Sequence, residues 1–469
     1  MNPRQPAGIA AALLFAAGCQ APGDERAARA DARPHVILVS VDTMNRDALA
    51  AFAPGADPLP HLDAFAAGAA RLSRAVSPSS WTLPAHASLL TGLYPDRHGA
   101  TDPRRRIAND VTLLAETLRA AGWETVAFTD AGFVDAEFGF ARGFSVYNDR
   151  TEGAARSTAN LPRGGRPARE RGLALFDCAL AWLESRDANA GPLFLFLHTY
   201  AVHDYFRVHP WTAKTLPPVT AESADAYRRC LQGEAPCSAD EWARLEALYR
   251  AEIRHFDDGF GRLLAALRAR GILEAAYVVL VSDHGEGFAP DRGRIHHGGR
   301  LHADVLSVPL LVSGPGIAPR DLDDLVSLVD VTPTILELTG AGPSSGLDGR
   351  SLAPLLRGQG TLPAVPVFAM EHYYTWADGR RVASPERRTG PVLSAVVAGT
   401  DWFVAGADRT ELYETASDPE QLSDVAASAP RAAVLRALVD RRLRELPESQ
   451  GSAIDSDLED QLRSLGYVD

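Results

Sequence analysis

The 469-residue chain is predicted to fold as an α/β protein: a mostly parallel sheet with helices on both faces, plus a small C-terminal α+β subdomain. Three observations lead there. Apolar runs of strand length alternate with stretches of helical spacing along most of the chain. Several of those runs are apolar throughout, as in strands buried on both faces. After a Gly/Pro-rich link, AGPSSGLDGRSLAPLLRGQGTLPAVP, the texture changes to short runs with hairpin-like turns.

Taken in order, HVILVSVD (35–42) reads as a buried strand ending in an acid. SSWTLPAHASLLTGLYPDRHG (79–99) sets Thr82 at the mouth of a short helix, with Pro84 near its start, so that Thr82 is an N-cap, a nucleophile, or both. VTLLAETLRAAG is a helix with a glycine stop, ETVAFTD a strand, LALFDCALAWLES a helix, and PLFLFLHTY a buried strand ending in His198. Residues 205–240 read as an inserted loop, and EWARLEALYRAEIRHFDDGFGRLLAALRARG as a long amphipathic helix broken at Gly259. AAYVVLVSDHGEG is a strand ending in Asp283 and His284, and VPLLVSGPG and LVSLVDVTPTILELTG complete the α/β pattern. PVFAMEHYY, PVLSAVVAGTDWFVAG, TELYET and the helix RAAVLRALVDRRLREL form the smaller module.

With 60 acidic against 47 basic residues, the net charge is −13, which argues against a general nucleic-acid partner. Lysine is nearly absent, Lys214 being the single one. At the start, Arg4, the apolar run Ile9–Ala17 and the small residues before Cys19 resemble a bacterial lipoprotein signal; the run is too short to span a bilayer. That predicts export from a bacterial cell, a lipid on Cys19 as the membrane contact, and a periplasmic or outer-membrane location. Export permits disulfides. Cys230 and Cys237 close a short loop and can pair, whereas Cys178 sits in an apolar run and is expected to be a buried thiol.

Three apolar strands thus end in Asp42, in His198, and in Asp283 with His284. Sites in open parallel sheets form at the carboxyl ends of strands. Asp and His are ligands for a divalent ion, which lowers the pKa of a neighbouring hydroxyl. A helix mouth offers free N–H groups to an anionic ester. The strand ends Asp42, His198, Asp283 and His284, with the Thr82 hydroxyl beside them, are therefore candidates to surround one divalent ion, with Ca²⁺, Mn²⁺ and Zn²⁺ all open.

VILVSVDT, TLPAHASLLTGLYPDRHG, FLFLHTYAVHDYF, YVVLVSDHGEGF, HHGGRLHADVLSVPLLVSGPG, LDGRSLAPLLRG, ELYETASDPEQLSDV and LRSLGYVD resemble, in order, segments of the sulfatase family of the alkaline-phosphatase superfamily. The resemblance implies that family's α/β core, and with the N-terminal signal and the change of texture read above the expected division is a signal at 1–19, a tether at 20–34, a catalytic domain at 35–360 and a C-terminal subdomain at 361–469. It implies Asp42, Asp283 and His284 as metal ligands, and His203 beside the ester and leaving group. His297 would face the anionic oxygens, and His198 would occupy a pocket position behind the ligands.

The departures carry as much. Where the family has Cys or Ser in a Cys-x-Pro-x-Arg segment, this chain has Thr82, and His86 replaces the arginine. No formylglycine is expected, since oxidising a secondary alcohol gives a ketone. A threonine ester lacks the second hydroxyl that expels sulfate, and would need in-line attack by water, a reaction suited to phosphoryl groups. Thr43 stands at a further acidic position of the family, the Gly-Lys-Trp-His segment is absent, and His86, His203, His297 or an arginine must replace the lysines that clamp the anion. The function expected is a metal-dependent hydrolase of anionic esters, phosphate mono- or diesters through Thr82 as nucleophile. Alternatives are a sulfuric ester hydrolase, a lipid-anchored binding protein or pseudoenzyme, and a phosphoryl-group transferase. Glu371 and His372 are further candidates to reach a substrate.

Overall fold

The computed structural model describes residues 33–148, 171–290, 294–342, 345–377, 380–383, 390–407 and 409–445. The signal-like start and nearly all of the tether lie outside the described residues.

Seven apolar residues make β1 (His35–Val41), which runs between two equally apolar parallel neighbours, β5 (Leu193–Thr199) and β6 (Ala276–Ser282). Its residues alternate between two cores. Val36 and Leu38 pack with α2 (Thr82–Thr91), α3 (Leu114–Ala120) and α7 (Val331–Thr339). Ile37, Val39 and Val41 pack with α1 (Pro60–Ala67), α4 (Arg171–Ser185) and α6 (Ala239–Ala269). The expected layering of helices on both faces follows directly.

The remaining strands are β2 (Ala70–Val76), β3 (Glu124–Thr129), β4 (Val146–Asn148), β7 (Leu310–Ser313) and β8 (Arg320–Ser327), in the order β8-β2-β7-β6-β1-β5-β3-β4. The short strand Ser307–Val308 also pairs with β2, bringing the sheet to nine. β7 alone among the principal strands is antiparallel to its neighbours β6 and β2. Among the described residues between β6 and β7 the only α-helix is the four-residue turn Ala303–Leu306, too short to serve as a crossover, so β7 runs back antiparallel to β6. β2, with the sequence ARLSRAV, is only partly buried and lacks the apolar run that marks the others.

Three expectations are corrected. α6 is one unbroken helix of 31 residues. Gly259 is buried within it, and a Cβ at Gly261 would collide with the His61 ring of α1, so glycine here permits close helix approach rather than a break. The segment 205–240 is not all loop: Thr220 caps α5 (Ala221–Leu231), and Cys230 is disulfide-bonded to Cys237. Cys178 is half-buried against the core rather than fully enclosed.

After the Gly/Pro link, β9 (Val367–Glu371), β10 (Leu393–Ala398), β11 (Asp401–Gly406) and β12 (Thr410–Glu414) form an antiparallel sheet. One face receives Leu301, Val305 and Leu306, and the other is covered by α8 (Arg431–Glu445) through Leu435 and Val439. Among the described residues no helix is long and apolar enough to cross a membrane.

Candidate active site

Register places the acids. Val41 pairs with Ser282 in β6, so Asp42 and Asp283 leave the sheet side by side at its carboxyl end. Ser40 pairs with His198 in β5. Thr43 then turns with φ 58°, which lets its N–H reach Asp283 Oδ1 at 3.3 Å while its own hydroxyl donates back to the Asp42 carbonyl at 2.8 Å. The Thr43 hydroxyl is thus turned onto its own backbone. The motif Asp-His-Gly-Glu-Gly needs its glycines: a Cβ on Gly285 would meet Asn45 and the Asp304 carbonyl, and one on Gly287 would meet Arg300.

The third element is α2. Trp81, in extended conformation, occupies its N-cap without a side-chain bond, and Thr82 is its first helical residue. Pro84 sits in the first turn, where its missing N–H costs nothing. The Thr82 hydroxyl caps nothing: it donates to Asp42 Oδ2 at 3.0 Å and lies 3.5 Å from His284 Nε2. Gly92, with φ 71°, ends the helix, its N–H bonding the Ser88 carbonyl. The N-cap reading of Thr82 is thereby set aside, and the hydroxyl belongs to the acid cluster.

Asp42, Asp283 and His284 are all 0 % exposed, and their ligand atoms lie within 4.8 Å of one another. Asp42 Oδ1 and Asp283 Oδ2 are buried with no hydrogen-bond partner. Burial, followed by the neighbouring Asp283 charge, drives Asp42 well above the usual carboxylate range, and burial lifts Asp283 to about 7. His284 donates Nδ1–H to the Gly285 carbonyl at 3.0 Å, which leaves the Nε2 lone pair facing Asp283 Oδ2 at 3.4 Å and Asp42 Oδ1 at 3.9 Å. A carbonyl partner that fixes the tautomer is how proteins present imidazole to a metal. Two buried carboxylates with orphaned oxygens, one aimed imidazole and a hydroxyl fit a divalent cation.

The other expected histidines separate into two groups. His86 is completely buried under the helix mouth, with Nδ1 on the Thr82 carbonyl at 3.0 Å and Nε2 accepting from Ser40 at 2.9 Å. Burial pulls its pKa down to about 4. It is neutral and occupied on both nitrogens, so it braces the first turn of α2 and does not clamp an anion as the aligned arginine would. His198 lies ring against ring with His86 at 4.2 Å, its Nε2 3.7 Å from Asp42 Oδ2, and neither nitrogen has a hydrogen-bond partner. Burial, then His86, holds it well below the usual histidine range. On the open side, His203 and His297 stand 5.2 Å apart, and His297 is 4.6 Å from the His284 ring.

Glu286 and His296 were not singled out from sequence, although both lie inside the quoted motifs. Glu286, 1 % exposed, accepts from His297 Nδ1 at 3.0 Å and from His296 Nδ1 at 3.2 Å. Nothing local marks an acid two residues beyond Asp-His as the partner of a histidine pair ten positions on. Glu371, by contrast, reaches no pocket: its buried carboxylate accepts from Ser80 Oγ, Gly299 N, Tyr373 N and Tyr374 N at 2.9–3.1 Å. It ties β9 to the segment just before Thr82. His372 lies in the field of Arg105 and Asp102 and makes no contact with the acid cluster.

The sulfatase family model matches residues 34–341, and the model described as N-sulphoglucosamine sulphohydrolase, C-terminal, matches 298–449. Arylsulfatase K of Xenopus laevis is 24 % identical over 85 % of this chain and 80 % of its own length. Arylsulfatase K of Homo sapiens is 25 % identical over 90 % and 84 %. Among solved structures, a phosphonate monoester hydrolase of Agrobacterium radiobacter superposes with TM-score 0.68 at 22 % identity, covering 88 % of this chain and 95 % of that one. A protein solved with its substrate D-glucosamine-2-N,6-O-disulfate superposes with TM-score 0.70 at 17 % identity, covering 88 % and 98 %. These curated relatives correct one expectation. They are animal arylsulfatases matching along nearly the whole length, so the reading of a bacterial, lipid-anchored protein of the periplasm or outer membrane is withdrawn. With the family model covering well over half of the sequence, the alternation of elements and the acid cluster find their common explanation: the chain belongs to the sulfatase family and is a hydrolase acting on ester bonds.

Proposed function

We infer that the protein hydrolyses phosphate mono- or diesters, with Thr82 as nucleophile and one divalent cation held by Asp42, Asp283 and His284. The observation that carries this reading is the Thr82 hydroxyl, relieved of any capping duty and set 3.0 Å from Asp42 Oδ2. When bound, the cation supplies positive charge that acidifies a neighbouring hydroxyl and stabilises anionic ester oxygens. Thr82 Oγ1 passes its proton toward Asp42 Oδ2 and bonds to phosphorus, while the bond from phosphorus to the leaving oxygen breaks. His203 or His297, on the open side, returns a proton to that oxygen. Water then cleaves the Oγ1–P bond in line and regenerates the hydroxyl. His86 and Ser40 hold the turn that aims Oγ1.

The family's sulfate chemistry supports a second reading, sulfuric ester hydrolysis, with Thr82 as a ligand and water attacking directly. Its support is that relatives named Arylsulfatase K match over most of the chain. Turnover of an aryl phosphate, a bis-aryl phosphodiester and an aryl sulfate separates the two. Phosphoester turnover should dominate, and Thr82→Ala should lower its kcat/KM by about 10³-fold, the scale of losing a covalent route, with an unchanged Tm. Activity on sulfate alone, or full activity in Thr82→Ala, overturns the assignment.

A further inference from the structure

Beside the Asp42–Asp283–His284 cluster lies a second group of ligand-type side chains, Glu286, His296 and His297, of which the mechanism above draws only on His297. A short antiparallel ribbon builds it. Phe288–Ala289 pairs with Arg294–Ile295, and Gly287 and His296 exchange backbone hydrogen bonds at 3.2 and 2.9 Å. The residues flanking that ribbon, Glu286 on one side and His296–His297 on the other, are thereby brought face to face. His296 adopts φ 57°, a left-handed conformation rare for a residue with a Cβ. That turn directs two consecutive imidazoles at a single carboxylate.

The separations are those of hydrogen bonds from the two Nδ1–H groups to the carboxylate, and an ion that displaced both protons would find its donors already spaced like the edges of a coordination polyhedron. Glu286 lies 3.0 Å from His297 Nδ1, and its two oxygens lie 3.2 and 3.4 Å from His296 Nδ1. A tetrahedral ion with bonds of about 2.0–2.1 Å has donor–donor edges of about 3.3 Å. Charge points the same way. Asp42, Asp283 and Glu286 are three fully buried carboxylates in one neighbourhood, and among the described residues no arginine or lysine pairs with Glu286. Of the guanidinium groups close by, Arg381 donates Nη1 to the His297 carbonyl and lies over the Tyr374 ring, and Arg300 donates to the His296 carbonyl and to Asp304. One divalent ion balances Asp42 and Asp283, while the Glu286 charge is met by hydrogen bonds from Gly287 N, His296 and His297 rather than by a cation.

We propose that Glu286, His296 and His297 hold a second divalent cation of the zinc type next to the first site. Two imidazoles and a carboxylate are a borderline-soft set that selects Zn²⁺ over Ca²⁺. The His284 and His297 rings are 4.6 Å apart, so the two ions are neighbours and share one anion-binding space. The inference goes beyond the reading of Thr82 as nucleophile and does not rest on it, because metal stoichiometry is read without turnover.

The test is equilibrium dialysis of the full chain, stripped with a chelator, against Zn²⁺, with bound metal counted by elemental analysis. Wild type should hold two ions per chain, His296→Asn one, Asp283→Asn one, and the double variant none. Far-UV circular dichroism and Tm establish that each variant is folded; His296, half-buried at the ribbon edge, is the variant expected to fold even where Glu286→Gln does not. A single ion in wild type, or two in folded His296→Asn, overturns the proposal. Loss of phosphoester turnover in Thr82→Ala with both ions retained would leave it standing.

Discussion

At the residue scale, one methyl-bearing hydroxyl decides the chemistry. Thr82 keeps the geometry of a nucleophile at a helix mouth but has no second oxygen on Cβ, so it suits an ester that water opens directly. Thr82→Ser preserves the hydroxyl and its 3.0 Å approach to Asp42, and should stay within about tenfold of wild type where the alanine loses about 10³. A second residue sets a pH dependence far from the chemistry. Glu411 accepts from His302 Nε2 at 2.8 Å and from the Tyr413 hydroxyl at 3.1 Å. Burial alone would raise it, but the hydrogen bonds from His302 and Tyr413 and the charge of Arg409 outweigh burial and hold it down at about 2. A depressed carboxylate stabilises the fold above its unfolded value and loses that contribution as the pH falls from about 4.3 toward 2. Glu411→Gln should therefore cost about 2 kcal/mol at pH 7, allowing for its partly open side. The difference from wild type should fade below about pH 3 in denaturant titrations; a gap that persists at low pH would refute the charge argument.

At the element scale, the carboxyl end of β6 shows why a short motif is conspicuous in sequence. Asp-His-Gly-Glu-Gly leaves a strand and must turn under Asn45 and Asp304 with no room for side chains at its glycines. Asn45 fastens this turn, its Oδ1 accepting from Glu286 N at 2.6 Å and its Nδ2 donating to the Glu286 carbonyl at 2.9 Å. Gly285→Ala should lower stability by about 2 kcal/mol, as overpacking a filled site does. It should also weaken metal binding, because His284 and Glu286 flank the displaced residue; denaturant titration and dialysis read the two effects. α6 teaches the opposite lesson. A glycine inside a helical pattern looks like a break, and here glycine instead lets α1 approach.

At the scale of the whole molecule, the C-terminal sheet is fastened to the core by buried polar bonds as well as by apolar contact. Arg442 of α8 binds Asp96 through Nε and Nη2 at 3.0 and 2.9 Å, and Asp348 through Nη2 at 3.1 Å, with Tyr94 4.6 Å beneath its guanidinium. Arg442→Ala takes the guanidinium from the mostly buried Asp96, while Asp348 keeps Arg97 and the Tyr94 N–H, and should cost about 3 kcal/mol. The rate per folded molecule should stay unchanged, which thermal melts and active-site titration would check. Glu371 works from the same module, reaching across to Ser80 and Gly299 and so bracing the approaches to Thr82 and His297.

Sequence alone determined the α/β class, the strand ends bearing Asp42, Asp283 and His284, the oddity of Thr82 and the pairing of Cys230 with Cys237 as an option. These are local properties: apolar runs, turn residues and motif spacing record what a segment is. Tertiary structure decided which of them meet. It withdrew His86 beneath the helix, turned Thr43 onto its own backbone, assigned Glu371 to the frame, and joined Glu286 to His296 and His297. Contacts such as Thr82 to Asp42, 40 residues apart, and Thr43 to Asp283, 240 apart, arise from strand register and crossover, which no neighbouring residue encodes.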